Sequence, residues 1–137
     1  MSEPTTFDSL RVKASCLVEK TVVATYSTAG AITMTAADLI GGIILRNTNG
    51  AGRADLVPTV ASLFTAVGEP KGDISGLSFE FVIRNTAGAA ETITVTTNTG
   101  WTLSGTMTIA QNNSKRFKVV FTSPTAATLY SLGTIVH

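Results

Sequence analysis

Threonine alternates with apolar residues along much of the second half of the chain. The clearest stretches are residues 92–97, which read Thr-Ile-Thr-Val-Thr-Thr, and residues 106–109, which read Thr-Met-Thr-Ile. A period of two places threonine on one face of a strand and the apolar residues on the other. Because threonine is β-branched and uncharged, it suits an extended strand and contacts water through its hydroxyl. The pattern predicts β-strands that each bury one face.

Further strands are predicted wherever β-branched and aromatic residues run between turn formers. They are expected at residues 16–26, 31–35, 43–48, 77–84, 115–122 and 127–136. Residues 36–42 indicate one helical turn or a loop, Gly100 and Trp101 a turn, and residues 111–114 a hairpin-type connection. About eight short strands at this spacing predict an all-β fold, a jelly-roll-like sandwich.

One short helix is predicted at about residues 56–67, within a segment that runs from Asp55 to Gly68. Asp55 is expected to cap its start, Pro58 falls in the tolerated first turn, and Gly68 follows its end. Its apolar residues share one helical face: Leu56, Val60, Leu63, Phe64 and Val67. We expect this helix to cover a sheet or the open end of a barrel; partner binding by the same face is the alternative.

Residues 43–50 and residues 81–88 resemble each other. Each segment reads as an apolar strand that ends in Arg-Asn-Thr-x-Gly. Asn and Gly tolerate positive φ where a chain leaves a sheet, and the arginine is expected to reach solvent there. Local convergence on one strand exit and duplication within a sandwich both explain the likeness.

The chain divides into an N-terminal arm, residues 1–15, and a β domain, residues 16–137. The arm consists largely of turn and coil formers, with Phe7 and Leu10 as its apolar anchors. The first residues lack the basic and apolar segments of a secretory signal, and no apolar run is long enough to span a membrane. We therefore expect synthesis and assembly in a cytoplasm, with no membrane partner.

Charge is sparse for a soluble domain. Only 14% of the residues are charged and 44% are hydrophobic, against roughly 25% charged in an ordinary domain. This balance predicts that other subunits cover part of the surface. A formal net charge of +1 offers no electrostatic attraction for nucleic acid, so no partner of that class is expected.

Reactive side chains are too few to predict an enzyme, a cofactor site or a metal site. Cys16 is the single cysteine and is interpreted as a small buried hydrophobic residue, and His137 is the single histidine. Metal sites with nitrogen and sulfur ligands need several such side chains, and a nucleophile needs a base. The aspartates are scattered along the sequence: Asp8, Asp38, Asp55 and Asp73.

Three other features have both a functional and a structural interpretation. Glu80 and Glu91 lie on neighbouring predicted strands, where lone glutamates usually keep a wet face soluble. Residues 50–52 read Gly-Ala-Gly, but no Gly-Lys-Ser/Thr follows, so a phosphate loop is rejected. Trp101 could stack on a sugar ring from a loop, or it could fill the core or a subunit seam.

Four stretches carry a family resemblance: residues 77–86, 92–95, 101–106 and 109–117. Together they resemble the capsid cement or decoration proteins of tailed phages, jelly-roll-like modules that sit as trimers on the outer shell. The resemblance extends over roughly residues 30–137, and the arm has no counterpart in it. It implies a structural virion protein that forms a homotrimer, binds the major capsid protein on the outer surface of the head and stabilises its lattice.

The resemblance also gives a role to the arm. Phe7 and Leu10 are predicted to contact the capsid or a neighbouring subunit, while the low charge fits flanks that are buried against other copies. The alternative function is a receptor- or glycan-binding head of a virion fibre or spike. A fibre head normally follows a shaft-forming segment, for which 137 residues leave no room.

Overall fold

The computed structural model describes residues 20–137, which form nine strands and two short helices. In chain order these are β1 (Val22–Tyr26), α1 (Ala36–Gly41), β2 (Gly42–Arg46), β3 (Arg53–Leu56), α2 (Val60–Ala66), β4 (Ser78–Asn85), β5 (Ile93–Thr96), β6 (Trp101–Ser104), β7 (Thr108–Ile109), β8 (Asn113–Ser123) and β9 (Ala126–Val136). The predicted arm and the first residues of the strand predicted at 16–26 lie outside the described residues.

The strands form two sheets. The larger sheet has the order β1-β2-β4-β8-β9-β6, and the smaller one has the order β3-β5-β7. The predicted all-β sandwich with a short helix is therefore confirmed. The jelly-roll topology is not confirmed, because jelly rolls are antiparallel whereas β1, β2 and β4 run parallel, as do β3 with β5 and β6 with β9.

Parallel pairing follows from the way the chain crosses between the sheets. β2 lies in the larger sheet, β3 in the smaller one, β4 in the larger one again and β5 in the smaller one again. After each crossing the chain returns to the sheet that it left two strands earlier. It therefore runs in the same direction as its previous strand in that sheet, and the two strands pair in parallel. Antiparallel pairing in the larger sheet joins β4 to β8 and β8 to β9.

The two similar segments, residues 43–50 and 81–88, lie side by side as β2, β4 and the turns that follow them. The register pairs Arg46 with Asn85 rather than with Arg84, so it differs from the sequence match by one residue. A shift of one residue exchanges the two faces of a strand. Arg84 is exposed as expected, whereas the same expectation for Arg46 is wrong because its side chain is buried.

Aromatic side chains from both β4 and β8 build the core, and α2 covers it. Phe81 stacks on Phe117, with 5.3 Å between the ring centroids. Phe64 of α2 meets Phe121 edge to face, with 5.7 Å between the centroids. The apolar face of the helix therefore packs on the sandwich, as the sequence predicts.

The helix α2 begins later than predicted. Thr59 is its N-cap, and the Thr59 hydroxyl accepts a hydrogen bond from the Ser62 N–H at 3.2 Å. The prediction that Asp55 caps this helix is wrong, because Asp55 belongs to β3. Pro58 gives the reason, since a proline disfavours helical geometry in the residue before it. Gly68, with φ +98°, follows the end of the helix as predicted.

Residues 111–114 do not form a hairpin. β7 before them pairs with β5 in the smaller sheet, and β8 after them pairs with β4 and β9 in the larger one. A short polar turn looks the same in sequence whether the next strand pairs with its predecessor or crosses to another sheet. Trp101 likewise begins β6 instead of a turn, and residues 31–35 contribute only a bridge between Thr33 and Leu56.

Tyr26 joins β1 to α1. Thr35 and Asp38 form a capping box at the start of α1, and the Asp38 carboxylate also accepts a hydrogen bond from the Tyr26 hydroxyl at 2.6 Å. That hydrogen bond, with burial and the negative charge of Asp38, raises the pKa of Tyr26 to about 12.

A Tyr130→Phe variant keeps Tyr26 as its only tyrosine, and we expect that phenol to ionise near pH 12 when tyrosinate absorbance is followed. An unfolded tyrosine ionises at about pH 10. The hydrogen bond therefore stabilises the fold fully below about pH 10, and this contribution is lost as the pH rises through the folded pKa. Asp38→Asn in the same background should lower the midpoint, and an equal midpoint in both variants would contradict the assignment.

Candidate functional site

Arg46 and Asp55 form a buried ion pair between β2 and β3. Arg46 Nε lies 2.7 Å from Asp55 Oδ2, and the two side chains are 1% and 2% exposed. The four remaining guanidinium N–H groups donate to Asp55 Oδ1 and to the carbonyl oxygens of Thr28, Gly30 and Asn47. Because all five guanidinium donors have acceptors inside the protein, this pair braces the turns and has no donor left for a ligand.

Asn85 and Glu91 hold the neighbouring turns in a similar way. The Asn85 side-chain amide donates to the carbonyl oxygens of Glu91 and Ile109 at 2.8 and 2.9 Å. The Glu91 carboxylate accepts from the Thr48 hydroxyl and, at 2.9 Å, from the Gly50 N–H. Glu91 therefore binds the turn after β2, and the interpretation of it as a solvated surface charge is corrected.

Glu80, the other glutamate considered for acid–base chemistry, lies on the exposed face of β4. Its carboxylate is 3.5 Å from Arg116 Nε and 4.0 Å from Lys118 Nζ, and all three side chains are at least 40% exposed. Gly52, in the rejected phosphate loop, lies against the Thr92 carbonyl oxygen, which a Cβ on Gly52 would approach to 3.0 Å. The glycine there permits close packing of two backbones.

Trp101 is buried in the core. The residue is 9% exposed, and its indole N–H donates to the Pro58 carbonyl oxygen at 2.6 Å. A ring in this position has no open face on which a sugar could stack. Of the two interpretations of Trp101, the structure supports the one in which it fills the core.

Replacing Trp101 with phenylalanine is expected to lower the free energy of unfolding by about 1–3 kcal/mol, because the buried Pro58 carbonyl loses its donor. Urea denaturation followed by circular dichroism measures the change. The matched control is Tyr130→Phe, which changes a residue that is 40% exposed and should shift stability by less than about 0.5 kcal/mol. Equal effects of the two substitutions would contradict the role of the indole hydrogen bond.

His137 and Ser114 lie together where β8 begins and β9 ends. His137 Nε2 is 2.5 Å from Ser114 Oγ, and the His137 backbone N–H donates to the Asn112 carbonyl oxygen. A serine nucleophile needs a histidine that a third group orients, and no carboxylate hydrogen-bonds this ring in the part of the chain that the structure describes. Burial lowers the pKa of the adjacent Lys115, whose ammonium donates to the Thr106 carbonyl oxygen. These contacts join strand ends.

The end of β9 exposes apolar side chains. Leu132, Ile135 and Val136 are 44%, 53% and 77% exposed, and residues 126–136 contain neither a charged residue nor a proline. β6 pairs with β9 only as far as Tyr130. Beyond that residue, β9 has β8 on one side and, within residues 20–137, no strand on the other.

A groove with a volume of about 910 Å³ opens where β1, β2 and β4 begin. Several of its apolar lining residues come from strand starts and helix ends: Ile40, Ile43, Val67, Leu77 and Phe79. Ile40 and Leu77 are 41% and 40% exposed, so the groove adds to the apolar surface of the domain.

In residues 20–137, neither helix is long and apolar enough to cross a membrane, and no three His, Cys, Asp or Glu residues are grouped as metal ligands. The predicted capsid-contact residues Phe7 and Leu10, together with Cys16, lie outside the described residues. Comparisons of the chain with protein-family models, curated proteins and solved structures found no match.

Proposed function

We propose that this chain is a structural virion protein: a cement or decoration protein that binds the outer surface of a phage capsid lattice as a homotrimer. The observation that carries the proposal is the exposed, uncharged end of β9, with Leu132, Ile135 and Val136 at its surface. Exposed apolar side chains clustered on one strand are typical of a contact with another protein chain. The resemblance of residues 77–86 and 101–106 to capsid cement proteins names the major capsid protein as the partner.

The internal contacts of the domain also favour a structural role. Arg46, Asp55, Asn85 and Glu91 direct their polar atoms to backbone groups or to one another, and Glu91 also accepts from the Thr48 hydroxyl. They therefore brace the turns between the sheets and give a rigid scaffold. The burial of Trp101 removes the aromatic ring on which the glycan-binding alternative depends.

A cement subunit that binds only the mature lattice stabilises it by mass action. At a hundredfold excess of free subunit over Kd, each occupied site contributes about 2.7 kcal/mol. A shell offers many equivalent sites, so modest affinity at each site is enough. Because the chain has a net charge of only +1, binding through apolar and hydrogen-bonded contacts should persist at moderate salt.

Light scattering after size exclusion and co-sedimentation with expanded phage shells test the proposal together. We expect a mass of three chains in solution and saturable binding to expanded shells that moderate salt does not abolish. A chain that never sediments with shells at any salt concentration would contradict the cement function.

Deletion of residues 1–15 tests the predicted role of the arm separately. We expect the shortened chain to remain a folded trimer and to bind shells more weakly, because Phe7 and Leu10 are lost. A Phe7→Ala, Leu10→Ala double variant should weaken binding in the same way, and a Thr5→Ala, Thr6→Ala variant is the matched control. Unchanged shell binding by the shortened chain would contradict the capsid contact of the arm.

A further inference from the structure

Both sides of the larger sheet end in an uncharged strand edge. β1 forms one side, and the outer edge of residues 131–136 of β9, beyond the end of β6, forms part of the other. Neither segment contains a charged residue or a proline. Edge strands that stay unpaired usually carry lysine or proline, or are covered by another element, because their free backbone groups would otherwise bind other strands. Within the described residues, no strand covers either edge.

The outer edge of β9 presents the backbone groups of Thr134 and Val136. His137 N–H donates to the Asn112 carbonyl oxygen on the β8 side, and beyond the irregularity near Leu132 the pairing with β8 is regular to Val136. Hydrogen-bonded and non-hydrogen-bonded pairs alternate along an antiparallel ladder. The N–H and C=O groups of Thr134 and Val136 therefore point away from β8.

The outer edge of β1 presents the backbone groups of Val23 and Thr25. Asn47 N–H donates to the Tyr26 carbonyl oxygen at 2.8 Å, so Tyr26 directs its backbone groups toward β2. Successive residues of a strand point these groups to opposite sides, which turns those of Val23 and Thr25 outward. Each edge thus offers two donors and two acceptors at the same spacing.

We propose that the β1 edge of one copy pairs with the β9 edge of the next copy, Val23 and Thr25 facing Thr134 and Val136. The inference rests on the self-assembly in the proposed function and names the contact that produces it. A cyclic trimer needs two different complementary surfaces on each subunit, and the two ends of this sheet supply them. The pairing continues one sheet into the next subunit.

The side chains around these edges agree with burial between copies. Val22 and Val23 are 54% and 50% exposed, and Ile135 and Val136 are 53% and 77% exposed. Strand addition would bring these apolar side chains of neighbouring copies together and remove them from water. No charge on either edge opposes the approach, so salt should change the association little.

Proline substitution removes the outward donors. Thr134→Pro deletes the N–H that faces away from β8, and Thr25→Pro deletes the one that faces away from β2, so both ladders within the subunit remain. Each variant is expected to be a monomer in light scattering, whereas the matched controls Thr134→Val and Thr25→Val keep the N–H and should remain trimers. Circular dichroism confirms the fold, and Val136→Lys, which adds a charge at the edge, serves as a second variant should Thr134→Pro not fold.

Mixing the two proline variants distinguishes this contact from a symmetric one. Thr134→Pro keeps an intact β1 edge and Thr25→Pro keeps an intact β9 edge, so an equal mixture should form heterodimers with one interface. If Thr25→Pro alone remains a full oligomer, or if Val136→Lys and both folded proline variants remain trimers, the edge contact is wrong. Shell co-sedimentation of the unsubstituted chain is measured separately. Failure of the edge contact is therefore distinguishable from failure of the cement function.

Discussion

The Asp55→Ala variant is expected to lose about 3–5 kcal/mol of unfolding free energy, because it leaves the buried guanidinium of Arg46 without its counter-charge. Arg46 and Asp55 are each almost fully buried, and Arg46 Nε lies 2.7 Å from the carboxylate. Asp55 Oδ1 also accepts from the Ile32 N–H at 3.0 Å, so the substitution also leaves this partly buried donor without its acceptor. Urea denaturation followed by circular dichroism measures the loss.

Two comparisons show whether charge pairing causes that loss. An Arg46→Met, Asp55→Leu double variant should be more stable than Asp55→Ala, because replacing both charges by apolar groups leaves no unpaired charge. Glu80→Ala removes an exposed ion pair with Arg116, whose side chain is 52% exposed, and should change stability by about 0–1 kcal/mol. Equal losses from Asp55→Ala and Glu80→Ala would refute the structural role of the buried pair.

Gly100→Ala is expected to destabilise the domain by about 1–3 kcal/mol from backbone strain alone, with further loss from steric overlap. Gly100 has φ +97°, and a Cβ there would overlap the Thr125 carbonyl oxygen and approach Val60 Cβ to 2.9 Å. The Gly100 carbonyl oxygen accepts from the Ala127 N–H, so the backbone is tied to β9 and cannot move away freely. The thermal unfolding midpoint and urea denaturation both report the effect.

Gly88→Ala is the matched control for this substitution. A Cβ at Gly88 would meet nothing within 4 Å, and its φ lies outside the left-handed region. We therefore expect a change of less than about 0.5 kcal/mol. A Gly100→Ala variant as stable as Gly88→Ala would show that the turn before β6 adjusts without cost.

The apolar character of the last strand is predictable from the sequence, whereas the part of it that stays exposed is not. Its sequence predicts a strand that needs cover, since residues 126–136 have no charge. The structure divides that strand, because Leu129 is fully buried whereas Val136 is 77% exposed. The change coincides with the end of the pairing between β6 and β9 at Tyr130. The local pattern of apolar residues does not show where that pairing ends.

The local sequence pattern does not predict the buried ion pair of Arg46 and Asp55. Sequence reasoning placed Asp55 at a helix start and expected Arg46 to reach solvent. The residues around Arg46 give no signal of its burial, because Arg84 also follows two apolar residues and is exposed. What sequence reasoning lacked was the partner, since Asp55 reaches Arg46 only because β3 crosses to the second sheet. Pro58 also determines the outcome, because it keeps the preceding residues extended.

Local patterns in the sequence are enough to predict the strand-rich fold and the short covering helix, because alternation and β-branching act through local geometry. Composition alone shows the scarcity of reactive groups. Long-range packing sets which strands pair, which face of β2 turns inward and where the apolar surface remains exposed. These outcomes depend on contacts between distant segments, such as the register that sets Arg46 opposite Asn85. A one-residue change in that register exchanges the buried and exposed faces, so only the assembled sheets could place Arg46 inside and Arg84 outside.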